Sequence, residues 1–160
     1  MSSIDTLIDK FVQTFNASNP EPLLDEEVPE YLRTGVQDKH GQYYWQISPR
    51  DMLKSAEAFQ SNFPKKLPKS YFSLISRYAF PGFEIPSIFF FANTGENIYW
   101  ELSKVFKDKI MSSFLIKNGF IQFGNPFEYN YDPVCFDYRH DLKNASDFSI
   151  VQLDHESILC

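Results

Sequence analysis

Two runs near the end of the chain decide the fold: residues 131–139 read YDPVCFDYR, and residues 148–156 read FSIVQLDHE. In the first run Val134, Phe136 and Tyr138 alternate with other residues, which is the period of a half-buried strand. The second run is apolar on both faces, which is typical of an interior strand rather than an edge strand. We therefore predict an antiparallel pair at the centre of a sheet.

Working outward, apolar residues at helical spacing recur through the first two-thirds of the chain. Such a stripe predicts a helix over residues 4–15, which we expect to dock on its own domain. Ser48 before Pro49 is typical of a capped helix start. Further helices are predicted over residues 49–63, 67–79 and 96–110, and Gly119 is expected to end the last of them.

Three more segments have the composition of strands: residues 42–47, 84–92 and 120–123. Residues 111–116 fit either a helix end or a strand, and residues 124–130 fit a loop. Because short connections join the final strands, antiparallel pairing is favoured. We predict an α+β fold, with a single domain, one main, bent and mostly antiparallel sheet, and helices packed on it.

The 160 residues suffice for one domain with a sizeable core. The longest apolar run, residues 88–92, is far shorter than the ~20 residues of a membrane helix, and no leader pattern is visible. The two cysteines, Cys135 and Cys160, match neither a metal-binding spacing nor a disulfide framework. We expect a cytoplasmic protein without membrane partners.

The net charge of −6 is unevenly distributed. Residues 1–41 carry 8 acids and 3 bases, and residues 120–160 carry 7 acids and 2 bases, whereas residues 42–119 carry 6 acids and 10 bases. Acidic ends disfavour nucleic acid as a partner and allow attraction to a basic protein. The alternative is that these charges are only solvated helix faces.

Cys135 is the obvious candidate nucleophile, with His140 and His155 as candidate bases. The alternation of its strand indicates instead that Cys135 faces a second layer as a small hydrophobe. No phosphate-binding loop, GxSxG or HExxH pattern occurs in the sequence. The residues therefore predict no catalytic group and no cofactor.

A cluster of titratable residues follows the last strand: Asp154, His155 and Glu156, with Asp137 on the neighbouring strand. Carboxylates and an imidazole suit zinc or iron. However, adjacent strand residues point to opposite faces, so we predict no metal. We expect these four residues to be structural, by capping the strand end and by pairing with Arg139. We also expect Asp154 or Glu156 to raise the pKa of His155.

A series of short segments, in this order, resembles the SUKH superfamily, which comprises bacterial immunity proteins and fungal cell-wall regulators. The segments are YYWQI, KKLPKSYFSLI, the strand through Phe91, NGFIQFGN, DPVCFD and LDHE. The resemblance covers residues 42–160, so residues 1–41, a helix and an acidic connector, are an extension. It implies an α+β scaffold without catalytic residues that binds and neutralises a cognate protein toxin, such as a nuclease. The alternatives are an intracellular scaffold module and a metal-dependent hydrolase.

The loop before the DPVCFD strand is the predicted partner-binding surface. It offers carboxylates flanked by aromatic side chains, a usual composition of an energetic centre. Its residues are Phe127, Glu128, Tyr129, Tyr131 and Asp132. The alternative is that these aromatic residues pack against the end of the sheet.

Overall fold

A computed structural model describes residues 3–18, 20–24, 27–94, 109–126, 132–139 and 148–156, with only the backbone for residues 109–112. The fold is α+β, as predicted. The helices are α1 (Ser3–Ala17), α2 (Leu53–Gln60), α3 (Lys69–Arg77) and α4 (Lys109–Lys117), with a 3-10 turn at Glu30–Leu32. None of these described helices is both long enough and apolar enough to cross a membrane.

The main sheet is an antiparallel meander of five described strands in the order β5-β6-β7-β8-β9. They are β5 (Phe83–Ile85), β6 (Ile88–Phe90), β7 (Phe120–Pro126), β8 (Val134–Asp137) and β9 (Ser149–Gln152). Two small antiparallel ladders lie upstream. They pair β1 (Leu23–Leu24) with β2 (Gln42–Tyr43), and β3 (Ser48–Pro49) with β4 (Tyr78–Ala79).

Strand β8 is buried along its whole length. Because successive side chains of a strand point to opposite faces, Phe136 joins the large core formed with α1 and α3, where its ring stacks on Phe123 with centroids 4.1 Å apart. Cys135 joins a second cluster with Leu115 of α4. The sheet is therefore covered by helices on both faces.

A glycine allows the close approach of two neighbouring strands. A Cβ atom at Gly124 would lie 2.3 Å from the carbonyl oxygen of Phe89 on β6, so any side chain there would collide with backbone. Strand β7 consequently continues through Gly124 to Pro126 and pairs with β6. The prediction of a loop beginning at residue 124 was therefore wrong for residues 124–126.

Helix α1 docks on its own domain, as predicted. Asp9 accepts hydrogen bonds from Arg77 Nη2 at 2.6 Å and from the Tyr78 hydroxyl at 2.7 Å. At the other end of the helix, the Asn16 side chain pairs with both backbone groups of Ile47, at 2.9 Å each. The segment thus shares the core of the domain, while the family boundary at residue 41 stays a prediction.

The predicted central position of the last strand was wrong, because β9 lies at an edge of the described sheet. Only part of its apolar character is buried: Val151 and Leu153 pack on the cluster beneath α4, whereas Ile150 is 53 % exposed. The apolar residues on one face of β9 are therefore packed against the protein, and Ile150 on the other face is exposed.

The predicted strand over residues 84–92 is a hairpin of β5 and β6, turned by Pro86 and Ser87. The predicted strand over residues 42–47 is broken, because only Gln42–Tyr43 pairs as a strand and Trp45 forms one bridge to Arg33. A turn divides the first aromatic-rich run, whereas the second run contains no turn and pairs with two different segments.

Two predicted helix boundaries were also wrong. Ser48 does not cap a helix, since Ser48–Pro49 pairs with β4 and helix α2 begins at Leu53. Helix α3 ends at Arg77, and the next residues form β4 instead. Tertiary pairing has overridden local helix signals at both places.

Helix α4 settles the ambiguous residues 111–116 as helical. Gly119 follows it at φ 83°, a left-handed conformation that glycine adopts without strain, and its N–H bonds the Ile116 carbonyl. The predicted helix end is confirmed, whereas the predicted helical residues 96–108 lie outside the described residues.

The contact between Asn16 and Ile47 yields a test of how residues 1–41 contribute to the fold. Asn16→Ala leaves both backbone groups of Ile47 without this partner, and should lower the free energy of unfolding by about 1–3 kcal/mol. Gln13→Ala, at an exposed position of the same helix, is the control and should cost about 0.5 kcal/mol or less. Urea denaturation measures both, and equal costs would contradict the integral role of α1.

Candidate functional site at the end of strand β9

The titratable residues after β9 meet Asp132, which precedes β8. The pairing of Val134 with Gln152, continued by two residues, places Asp132 opposite Asp154. The Asp132 carboxylate accepts hydrogen bonds from the His155 backbone N–H at 2.9 Å, from Gln152 Nε2 at 3.0 Å, and contacts His155 Nδ1 at 2.7 Å. One side chain thus ties the end of the edge strand to the start of β8.

His155 is the partner of Asp132 rather than of its own neighbours. The hydrogen bond to Asp132 raises the pKa of the His155 imidazole, with smaller contributions from the charges of Asp132, Glu156 and Asp154. The predicted direction is confirmed. The predicted contributions of Asp154 and Glu156 are present but small, because the hydrogen bond to Asp132 is the largest cause.

Asp154 and His155 lie closer together than the sequence suggested. The strand has ended at Gln152, the backbone turns helical at His155 and Glu156, and the Glu156 N–H bonds Asp154 Oδ1 at 3.0 Å. One ligand atom from each of Asp132, Asp154 and His155 therefore lies within 4.8 Å of the others. The expectation of opposite faces fails because it assumed that the strand continued.

These three residues are of the types that hold zinc, so their fit to a metal can be judged from distances. Ligands at about 2.0–2.2 Å from a tetrahedral zinc lie roughly 3.3 Å apart. The 2.7 Å between His155 Nδ1 and Asp132 Oδ1 is shorter and matches a charge-assisted hydrogen bond. The arrangement fits an ion pair better than a pair of metal ligands.

Asp137 and Arg139 form a second anchored pair at the opposite end of β8. The nearly buried Asp137 carboxylate accepts hydrogen bonds from Arg139 Nη2 at 2.8 Å and Nε at 3.0 Å. The guanidinium lies 4.5 Å from the centre of the Phe120 ring. Hydrogen bonding to Asp137 raises the pKa of Arg139. The guanidinium therefore stays charged and holds the Asp137 carboxylate at the end of β8.

Cys135 is fully buried, as the alternation predicted. Burial, with a smaller contribution from the charge of Asp137, raises the pKa of the Cys135 thiol to about 12. Because the thiolate is the nucleophilic form, Cys135 is suited to packing rather than to attack on a substrate at neutral pH.

The structure describes only Asp132, the last residue of the predicted partner-binding loop. The other four predicted residues lie outside the described part: Phe127, Glu128, Tyr129 and Tyr131. Asp132 is described and is turned inward toward His155 and Gln152. It is therefore a structural anchor, and its contact with a partner stays a prediction.

Sequence reasoning missed Asp132 as the organiser of this site. The available signal was its position before Pro133 at the start of a strand, opposite the residue where the paired strand ends. It could be used only with the correct register. The sequence alone leaves the register of β8 against β9 open.

The raised pKa of His155 predicts a pH dependence of stability. Protonated His155 stabilises the folded state, so its contribution is fully present below the unfolded-state pKa of 6.5 and is lost as pH rises through the higher folded-state value. The loss of unfolding free energy in His155→Gln should therefore be larger at about pH 5.5 than at about pH 8.5.

Urea denaturation at both pH values measures this difference, and an NMR titration of the imidazole gives the pKa directly. His40→Gln, at an exposed turn, is the matched control. A variant penalty that does not change with pH would contradict the ion pair.

Comparisons of the chain with models of protein families, with curated proteins and with solved structures found no match. The resemblance to SUKH domains therefore stays a prediction that rests on the sequence segments quoted above.

Proposed function

We propose that this chain is a non-enzymatic immunity-type protein of the cytoplasm, which binds and neutralises a cognate protein toxin. The observation that carries the proposal is the exposed edge strand β9, which combines an apolar anchor with an acidic end. The sequence resemblance to SUKH domains points in the same direction.

The anchor is Ile150, which is 53 % exposed in the middle of β9. It forms one rim of an apolar groove of about 190 Å³ between the sheet, α1 and α3. The aromatic rings of Tyr71, Phe123 and Phe136 line the same groove. A partner side chain placed there would bury apolar surface, the usual source of binding energy at an interface centre.

The acidic end consists of Asp154 and Glu156, both exposed. At roughly 3.3 Å per residue, Asp154 lies about 13 Å along the chain from Ile150, which is well within the span of one interface. Carboxylates around an apolar anchor would attract a basic surface such as the substrate site of a nuclease, and would raise the association rate.

The edge itself adds a directional element. Within the described residues, β9 pairs only with β8, so its outer edge presents backbone N–H and C=O groups that a partner strand can engage. The Asp132 carboxylate bonds Gln152 and His155, contacts that we call the Asp132 clamp, and so holds this edge in register. The same acidic character supports a protein partner rather than nucleic acid, and we propose no membrane partner.

The proposal predicts that Ile150 is an energetic anchor. Ile150→Thr keeps a β-branched residue in the strand while removing apolar contact, and should weaken binding to the cognate toxin about tenfold with little change in melting temperature. Val36→Thr, a substitution at an 85 % exposed valine far along the chain, is the control and should bind like the parent.

The measurement uses the product of the gene beside this one, with growth rescue on co-expression and calorimetry on the purified pair. Loss of rescue in Ile150→Thr alone supports the proposal. If the parent neither rescues growth nor binds the neighbouring product, the immunity proposal fails and a scaffold module takes its place.

One observation favours a different class, the metal-dependent hydrolase: Asp132, Asp154 and His155 bring ligand atoms within 4.8 Å. Elemental analysis of the purified parent and of Asp154→Asn separates the two. The absence of stoichiometric metal in the parent supports the ion pair, whereas zinc that is present in the parent and lost in the variant would support the hydrolase.

A further inference from the structure

A second cleft lies at the opposite edge of the sheet, along β5. It has a volume of about 460 Å³, and its lining includes Phe83, Glu84 and Ile85. Neighbouring residues of a strand point to opposite faces. Because three consecutive residues of β5 line the cleft, the cleft lies along the outer edge of that strand. The facing wall is the connector at residues 20–23.

The floor of the cleft is aromatic: half-buried Phe15 and Phe89 line it, and the buried rings of Phe83 and Trp45 lie beneath. The ring centroid of Phe15 lies 4.8 Å from that of Phe83 and 5.7 Å from that of Trp45. The Trp45 indole N–H donates to the Glu21 carbonyl oxygen at 3.0 Å. This bond fixes the connector wall against the floor, so the cleft is a built feature rather than a gap between two loops.

The charged residues that line the cleft are Glu21 and Glu84. Neither forms an ion pair within the described part of the chain. Burial, together with the charge of Glu21, raises the pKa of the Glu84 carboxyl. Two like charges therefore lie at the same cleft, and the ionised form of Glu84 is disfavoured there, which a bound cation would relieve.

The described part of the chain leaves the outer backbone edge of β5 unpaired. Among the described strands β5 pairs only with β6, so its outer N–H and C=O groups can receive an extended segment. The end of the cleft is shaped by Ser87, which holds φ at 73° in the left-handed region. Such a conformation is unfavourable for a serine and is maintained by the surrounding structure.

We infer that this cleft binds an arginine side chain carried by an extended segment of a protein partner that lies alongside β5. A planar guanidinium stacks on aromatic rings and can donate to two carboxylates at once, whereas an ammonium does neither as well. This cleft shares Ile85 with the groove at Ile150 but none of the other lining residues, and the inference does not depend on the surface proposed above.

Short capped peptides with a central arginine, lysine or citrulline test this inference, with binding followed by NMR. The Trp45 indole N–H, assigned with Trp45→Phe, is the reporter because it bonds Glu21 at the wall of the cleft. The arginine peptide should shift this signal and the β5 amides saturably. The neutral citrulline peptide should bind about tenfold or more weakly.

Glu21→Gln and Glu84→Gln should each weaken arginine-peptide binding about tenfold, while Glu84→Gln keeps or raises the melting temperature because a repelled carboxylate is removed. Glu57→Gln, an exposed glutamate on α2, is the control and should change neither. Ile150→Thr should leave peptide binding intact, which separates this site from the β9 surface.

Three results would overturn the inference: no shift of the Trp45 signal at millimolar peptide, equal binding of the citrulline peptide, or a free polyamine that binds as tightly as the arginine peptide. The last result would assign the cleft to small amines instead of a protein segment.

Discussion

Strand β8 is buried on both faces, and the other layers are arranged to cover it. Phe136 stacks on Phe123 within the layer of α1 and α3, while Cys135 faces Leu115 of α4. A strand in this position cannot also present side chains to a partner. Surface available for recognition is therefore shifted to the two edge strands of the described sheet, β5 and β9.

Edge strands expose backbone groups and are prone to unplanned pairing, so they are usually controlled by charge or by short length. Here β5 has three residues and β9 has four, and each lies beside carboxylates. At β9 the Asp132 carboxylate holds His155 and Gln152, which fixes where the strand ends. Carboxylates beside an edge disfavour its pairing with a second acidic chain, and the partners that we propose for both edges are basic.

The sequence was sufficient where local patterns and tertiary packing agree. The alternation at Val134 and Phe136 placed β8 and the buried Cys135, and Gly119 placed the end of α4. It was insufficient where a distant element decides. Ser48 carries a helix-start signal, yet pairing with β4 makes it part of a strand. Asp132 could not be assigned to His155, because that contact spans 23 positions and depends on the register of β8 against β9.

We propose that the Asp132 carboxylate holds the end of β9 against the start of β8, and amide hydrogen exchange in Asp132→Ala measures this. The Leu153 N–H, which bonds the Pro133 carbonyl at 3.0 Å, should exchange about tenfold faster than in the parent, because the clamp is worth roughly 1.4 kcal/mol of local stability. The amide of Tyr138, bonded to Gly119 at 2.7 Å, should keep its rate. Unchanged exchange at Leu153, or equal acceleration at both amides, would contradict the account.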